Sequence, residues 1–156
     1  MGASASSTST GTPQNVIGWR EWIALPDMGL TKLRAKIDTG ARTAALYATE
    51  IRHQTIDGVE MVNFMLPFDG NRRITLPVHG HRRVRNTGGV PETRTIVRTR
   101  MILGDQSWDI DIALSNRENM LNPIILGRTS VRGRKLTINP GRSFLKDLPV
   151  INGDDK

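Results

Sequence analysis

The alternation of side chains between Thr95 and Leu114 is the feature that most constrains the fold. Apolar residues, with Thr99 among them, alternate with mainly charged ones on both sides of Gly104-Asp105, and a period of two is typical of strands with one buried face. A two-residue turn at Gly104-Asp105 therefore predicts a hairpin with a core face and a charged face. The predicted cross-strand pairs are Met101–Trp108, Thr99–Ile110 and Val97–Ile112 on the core face, and Arg100–Asp109 and Arg98–Asp111 on the other. We interpret these four charges as structural.

Two other segments carry the signals of β-hairpins. In the first, apolar-rich runs at Trp19–Leu25 and Thr31–Ile37 flank a Pro-Asp-Met-Gly sequence, whose residue types favour turns. In the second, Leu46–Ile56 and Val59–Leu66 flank Asp57-Gly58, a dipeptide that favours a tight hairpin turn. The chain is therefore predicted to be all-β over most of its length.

Helical signals are confined to one short segment near the end of the chain. Gly127–Gly133 is predicted to be a short helix that ends at a glycine, with Val131 facing inward. Lys135–Asn139 then alternates like a strand and is followed by Pro140-Gly141.

The composition is that of a single folded domain. Of the 156 residues, 37% are apolar, enough to bury a modest core, and the absence of cysteine excludes disulfides and Cys-ligated metals. Residues 1–15 are rich in Ser, Thr and Gly, and we expect them to be a disordered tail or a cloning remnant. We expect residues 16–149 to form the domain and residues 150–156 to be a flexible tail.

No targeting or membrane-spanning segment is visible in the sequence. No apolar run approaches the ~20 residues that a membrane span needs, and the N-terminus lacks the apolar central region of a signal peptide. These features favour the cytoplasm, whereas a targeting segment that had been removed would place the protein in the periplasm.

The segment Ala35–Ala41 is the most informative about chemistry. An apolar strand runs into Asp38, and Thr-Gly-Ala follows. A carboxylate at the end of a strand can project from a tight loop into a cleft. Gly40 would let the backbone and a second chain approach closely, and Thr39 could hydrogen-bond across an interface. The tripeptide could equally be an ordinary Asx turn before a helix.

A second apolar strand favours the first of these interpretations. Pro123–Leu126 is followed by Gly127-Arg128, and together with the Asp-Thr-Gly sequence it resembles the retropepsin family, the fold of retroviral proteases. In that family an apolar-apolar-Gly strand passes beside the Asp-Thr-Gly loop, and a short helix and a terminal strand follow. The resemblance covers roughly residues 16–140 and implies a closed β-barrel. It also implies that Leu126, Gly127 and Arg128 support the catalytic loop.

Within the retropepsins, the chain is most similar to a bacterial group labelled ATP-dependent zinc proteases. The signature of that group, Asp-Thr-Gly-Ala-[Lys/Arg]-Thr-[Ser/Ala]-Ala-Leu, corresponds to Asp38 through Leu46. Its members are often linked to ATP-grasp ligases that add glutamate to proteins, including a ribosomal protein. Retroviral enzymes carry an Asp at the place of Arg42, where it pairs with the Arg of the Gly-Arg sequence. Arg128 must therefore find another partner here.

The resemblance implies an aspartic endopeptidase. Asp38 would be the catalytic residue, with Thr39, Gly40 and Ala41 supporting its loop. Because the chain has one Asp-Thr-Gly sequence, the second carboxylate would come from a homodimer, with Lys135–Asn139 expected at the interface. The two carboxylates would share a proton and hold the attacking water, without a metal or cofactor.

The same resemblance implies which residues meet the substrate. Arg42 would line the cleft, and the glycine-rich turn Arg85–Val90 is the expected flap, with Gly88 and Gly89 contacting substrate. We therefore expect a preference for acidic or glutamate-rich peptides, strengthened by three further basic residues, Arg82, Arg83 and Arg85. Two alternatives stay open: the turn could be a plain surface loop, and Arg42 could turn away to pair with a carboxylate at the edge of the core.

A zinc-dependent peptidase is a second functional alternative. His79-Gly80-His81 could supply two ligands from one strand face, but no third ligand is evident, although His53 could approach in space. Two solvated histidines are the favoured interpretation. A glycine loop followed by Lys, which would cradle phosphates, is absent from the sequence.

Nucleic-acid binding and peptide binding without catalysis are the remaining alternatives. The net charge of +7 and the basic run His81–Arg85 would attract nucleic acid. Three Trp, three Phe and one Tyr supply few surfaces for base stacking, so the composition does not favour a nucleic-acid partner. A non-catalytic module that holds peptide tails would share the fold and lack turnover.

Overall fold

The computed structural model describes residues 15–85, 88–116 and 121–151, and these residues form mainly strands. The strands are β1 (Val16–Gly18), β2 (Arg20–Leu25), β3 (Leu30–Ile37), β4 (Ala44–Tyr47), β5 (Thr49–Ile56), β6 (Val59–Leu66), β7 (Arg72–Pro77), β8 (Gly80–Arg85), β9 (Pro91–Leu103), β10 (Gln106–Ser115), β11 (Ile124–Leu126) and β12 (Thr137–Asn139). The described residues contain one short α-helix, α1 (Arg128–Val131), and a 3-10 turn, Pro26–Met28. Nowhere in the described ranges is a helix long and apolar enough to cross a membrane.

A closed barrel of six strands is the centre of the fold. Its strand order is β10-β4-β11-β3-β2-β9, and the pairing of β9 with β10 closes it. The interior is filled by alternate side chains from these strands, because successive residues of a strand face opposite sides of a sheet. Fully buried examples are Ile23, Leu46, Val97, Ile112, Ile124 and Leu126. The prediction of an all-β, closed barrel with one short helix is confirmed.

The β9–β10 hairpin has the predicted register. Met101 pairs with Trp108, and Val97 pairs with Ile112, all four on the buried face. On the other face the Nη1 atom of Arg98 lies 3.1 Å from Asp111 Oδ1, as predicted. Arg100 lies opposite Asp109, as predicted, and its Nη2 donates to Ser107 Oγ at 3.4 Å.

The predicted hairpin arm Leu46–Ile56 is divided between two strands, because the chain changes sheets at Ala48. The Tyr47 N–H donates to Pro123 O and the Ala48 N–H donates to Ser115 O, so the first part belongs to the barrel. From Thr49 onward the chain pairs with β6 in a separate three-stranded sheet, β5-β6-β7. The turn between β5 and β6 lies where it was predicted.

The three-stranded sheet extends the core beyond the barrel. Val62, Phe64 and Leu66 alternate along β6 and are fully buried in the same hydrophobic cluster as the barrel side chains. The residues of the neighbouring strand β5 are largely exposed. Burial of one Phe and two aliphatic side chains, at about 1.5–3 kcal/mol each, is sufficient to fix this sheet on the barrel.

The C-terminal elements are shorter than the sequence predicts. The helix ends at Val131 rather than at Gly133, which lies in the following turn with a positive φ of 84°. Val131 is buried, as predicted. The final strand is limited to Thr137–Asn139, because Lys135 has a positive φ of 55° that interrupts extended backbone. It pairs in parallel with β1.

A buried carboxylate joins the two ends of the described chain. Glu21 is fully buried, and it accepts the N–H groups of Gly18, Leu145 and Lys146 at 2.6, 2.9 and 3.0 Å. Three charge-assisted hydrogen bonds offset part of the cost of burying the charge. The segment after β12 is thereby held along β2, and the Val150 N–H donates to Gly104 O.

Candidate active site

Asp38 lies immediately after β3, in a turn that is hydrogen-bonded on both sides. Strand β3 pairs in parallel with β11, with Ile37 opposite Leu126. The Asp38 N–H donates to Leu126 O at 2.9 Å, and the Ala41 N–H donates to Asp38 O at 3.0 Å. The side chain is partly exposed and lines a cleft. The fold therefore presents one carboxylate from a rigid turn.

Gly40 leaves room for that carboxylate. A Cβ atom at this position would lie 3.3 Å from Asp38 Oδ1, tighter than an ordinary van der Waals contact. Thr39 and Gly40 are both exposed at the tip of the turn. The predicted role of Thr39 across a subunit interface stays a prediction.

The start of α1 holds the backbone that follows the Asp38 turn. The Arg128 N–H donates to Ala41 O at 2.9 Å. Both the N–H and the Oγ1 of Thr129 donate to Arg42 O, at 3.0 and 2.7 Å. At Gly127, which is buried, a Cβ atom would lie 2.7 Å from backbone atoms of Arg42 and Thr43. Leu126, Gly127 and Arg128 thus contact the loop through backbone atoms.

The cleft that contains Asp38 has a volume of about 890 Å³ and is strongly basic. Asp38 is the one acidic residue among the described residues that line it. The basic residues that line it are Arg20, Arg34, Lys36, Arg42, Arg82, Arg83, Arg85 and Arg94. Such a cleft, with low-dielectric walls and one predominant sign of charge, attracts anionic ligands.

Four of these basic residues were not identified from the sequence. Lys36 and Arg34 occupy the face of β3 opposite to its buried residues, and Arg20 pairs with Lys36 across β2 and β3. Since side chains at i and i+2 of a strand share a face, the placement of Lys36 beside Asp38 could have been read from the alternation in β3. The placement of Arg94 at the cleft could not be read in this way, because Arg94 reaches the cleft from β9.

The β8–β9 hairpin lies over one side of the cleft. The cleft is lined by Arg82, Arg83, Val84 and Arg85 of β8. Gly88 and Gly89 are exposed at the turn between the two strands, beyond these residues. The predicted flap therefore coincides with a hairpin turn, of which Asn86 and Thr87 lie outside the described residues. Contact of Gly88 and Gly89 with substrate stays a prediction.

Three arginines lie near one another beside the cleft, and two of them, Arg42 and Arg82, line it. Arg82 Nη1 donates to Thr43 Oγ1 at 3.1 Å. Burial, and then the positive charges of Arg42 and Arg128, lower the pKa of the Arg82 guanidinium from its ordinary value. The ion pairs formed within the described ranges include none of these three residues. The alternative in which Arg42 pairs with a carboxylate at the edge of the core thus has no support there.

The histidines contact carboxylates on different strands. His79 Nε2 lies 3.8 Å from Asp111 Oδ1, and His81 Nε2 lies 3.2 Å from Glu60 Oε2. His53 contacts Thr95 Oγ1 at 2.7 Å. In the part of the chain that the structure describes, no three His, Asp or Glu side chains are grouped so that they could hold a metal ion.

Comparison with protein families gives one match over nearly the whole domain. Residues 16–149 match the RimB-like family, described as retropepsin-like aspartic endopeptidase RimB. The match includes the Asp38 turn, β11 and the β8–β9 hairpin.

Curated relatives carry a different name. A probable alpha-L-glutamate ligase of Parasynechococcus marenigrum is 36% identical over 88% of this chain and 30% of its own length. A protein of the same name from Desulfotalea psychrophila is 36% identical over 81% of this chain and 28% of its own length. The chain thus spans less than a third of these relatives.

A solved structure has a similar fold. It is a protein of unknown function from Legionella pneumophila, with a TM-score of 0.71 and 28% sequence identity. The match covers 85% of this chain and 98% of the other. The similarity therefore extends over the described domain rather than over one motif.

Proposed function

The chain belongs to the RimB-like family of retropepsin-like aspartic endopeptidases, and from this we propose that it hydrolyses peptide bonds with Asp38 as its catalytic residue. The observation that carries the proposal is the position of Asp38. Its turn is hydrogen-bonded to β11, and its carboxylate lines the basic cleft. A carboxylate held in this way can act as a general acid or base on a bound peptide.

The proposed reaction needs two carboxylates with one proton between them. The ionised Asp38 takes a proton from water, and the water oxygen bonds to the scissile carbonyl carbon. The protonated Asp38 donates its proton to the carbonyl oxygen. In the second half, the Asp38 that took the proton from water donates it to the amine nitrogen as the C–N bond breaks, and the other Asp38 takes a proton from a hydroxyl of the tetrahedral intermediate. One water is consumed per bond, and the pair again holds one proton. Two close carboxylates cannot easily both ionise, which favours the shared proton.

We propose that the second carboxylate comes from a second copy of the chain. A two-fold axis near the turn would bring two Asp38 side chains together, and the exposed positions of Thr39 and Gly40 leave room for this approach. Among the described strands, β12 pairs with β1 alone, in a two-stranded sheet. We place the interface that the sequence predicts at Lys135–Asn139 on its other edge.

The specific activity is expected to rise with protein concentration. If the active species is a dimer, peptide cleavage per chain increases steeply below the dissociation constant and becomes constant above it. The measurement is initial rate against concentration, with sedimentation of the same samples to give the dimer fraction. A rate per chain that is independent of concentration, in samples that sediment as monomer, would rule out the shared site.

We further propose that the substrates are acidic peptides rich in α-linked glutamate. Of the described residues that line the cleft, eight are basic and one is acidic. The curated relatives are named for alpha-L-glutamate ligation, and a peptidase that cuts such chains would act on the product of that reaction. Nucleic acid is a poorer fit, because Trp19 is the one aromatic residue among the described residues that line the cleft.

Replacing Arg42 with Glu is expected to reverse the preference for acidic peptides. A charged hydrogen bond contributes about 1.5–3 kcal/mol, so loss of the guanidinium should lower kcat/KM for a glutamate-rich peptide by at least about tenfold. A lysine-rich peptide of equal length should be cleaved better by the variant than by the wild type. Arg100→Glu, which changes the net charge equally outside the cleft, is the matched control. Equal cleavage of both peptides by the wild type would contradict the proposal.

A further inference from the structure

A second pocket of about 450 Å³ lies on the far side of the Arg42–Arg82 wall. It shares Arg42, Thr43 and Arg82 with the catalytic cleft. The hydrogen bond from Arg82 to Thr43 joins β8 to the segment that follows the Asp38 turn. The two pockets are therefore adjacent and have two arginines in common.

The charges in this pocket are unevenly paired. Arg98 and Asp111 form an ion pair with each other, and His79 approaches the same carboxylate. Asp109 is the other acidic residue that lines the pocket. Arg132, Arg42 and Arg82 also line the pocket, and the ion pairs formed by described residues include none of these three.

The backbone around these arginines is fixed before any ligand binds. The Arg42 carbonyl accepts two hydrogen bonds from Thr129, and the Arg132 N–H donates to Arg128 O at 2.9 Å. Arg82 is held by Thr43, and burial, followed by the positive charges of Arg42 and Arg128, lowers the pKa of its guanidinium. Like charges gathered on a rigid frame destabilise the free protein and favour a bound anion.

We propose that this second pocket, formed by Arg42, Arg82 and Arg132, binds carboxylates of an acidic peptide outside the segment that lies over Asp38. The inference rests on the proposed function, since it extends the path of the same acidic substrate. A peptide that crosses the Arg42–Arg82 wall places acidic side chains on both sides of it. Carboxylates suit the pocket because a guanidinium offers them two parallel hydrogen bonds. Affinity then depends on the length of the acidic segment.

The test measures binding, so that it does not depend on turnover. Labelled oligoglutamates of two lengths are titrated by fluorescence anisotropy against Asp38→Asn protein, in which peptide is not cut. One peptide fills the cleft alone, and the other is long enough to reach the second pocket. Arg132→Gln is then added to the Asp38→Asn background, with Arg100→Gln as the matched control. Arg100 lies on β9 and lines neither pocket.

We expect Arg132→Gln to weaken binding of the long peptide by about tenfold, as the loss of one charged hydrogen bond implies. Binding of the short peptide should weaken much less, and Arg100→Gln should change the affinity of neither peptide. Equal weakening of both peptides by Arg132→Gln, or equal effects of Arg132→Gln and Arg100→Gln, would overturn the proposal. Full competition by inorganic phosphate at a concentration far below that of a dicarboxylate control of similar charge, such as succinate, would also overturn it, since it would assign a phosphate site.

The two proposals can fail separately. Length-dependent binding through Arg132, with no cleavage by the wild-type protein, would retain the second pocket and reject the peptidase. Cleavage of acidic peptides with binding that is independent of Arg132 would retain the peptidase and reject the second pocket.

Discussion

Peptide cleavage is expected to fall by about 10³-fold or more when Asp38 is replaced with Asn. The substitution is nearly isosteric, so the backbone hydrogen bonds of the turn to Leu126 and Ala41 remain. What is lost is the group that accepts and donates the proton, and general acid–base catalysis contributes about 10²–10⁴-fold. A dimer loses both copies at once, because each chain supplies the same residue.

The measurement is kcat on an acidic peptide, with melting temperature and sedimentation on the same sample. Asp105→Asn, in the exposed β9–β10 turn, is the matched control and should retain full activity. EDTA should leave the wild-type rate unchanged. Retained activity in Asp38→Asn would reject the aspartic mechanism, and loss of activity in EDTA with recovery in zinc would assign the reaction to a metal.

The elements predicted best are those in which local pattern and pairing agree. The β9–β10 register follows from period-two alternation on both arms and a two-residue turn, since a slip of one residue would expose every buried side chain. The sequence contains no comparable signal for the change of sheet at Ala48. An alternating strand looks the same whether its neighbour is β11 or β6, so only the three-dimensional pairing reveals the break.

The candidate site was likewise predictable from the sequence only in part. The Asp38 turn and its contact with Leu126 and Gly127 could be expected from two short sequence motifs. The basic wall of the cleft could not, because it is assembled from strands far apart in sequence. Arg82 meets Thr43 through the folding of β8 over the cleft, a contact between residues 39 positions apart. The charge of a strand face can be read from sequence, whereas the surface that it faces is set by topology.

The close approach at Gly127 implies a second large effect, on stability and activity together. A methyl group at this position would lie 2.7 Å from the Arg42 carbonyl carbon and from the Thr43 N and O atoms. These are backbone atoms between two hydrogen-bonded segments, so they cannot rotate away as a flexible side chain would. We expect Gly127→Ala to lower the free energy of unfolding by about 3 kcal/mol, the upper part of the usual range for overpacking.

Activity should fall by more than the loss of stability explains. To relieve the clash, the Arg42–Thr43 backbone must move, and with it the turn that positions Asp38. A displacement of about 1 Å at a reacting group can cost about 10²-fold in rate. The measurement is kcat well below the melting temperature of the variant, where nearly all chains are folded. Gly80→Ala is the control, because a Cβ atom there meets nothing within 4 Å. If Gly127→Ala matched Gly80→Ala in both unfolding free energy and kcat, the close packing of β11 against the catalytic loop would not position Asp38.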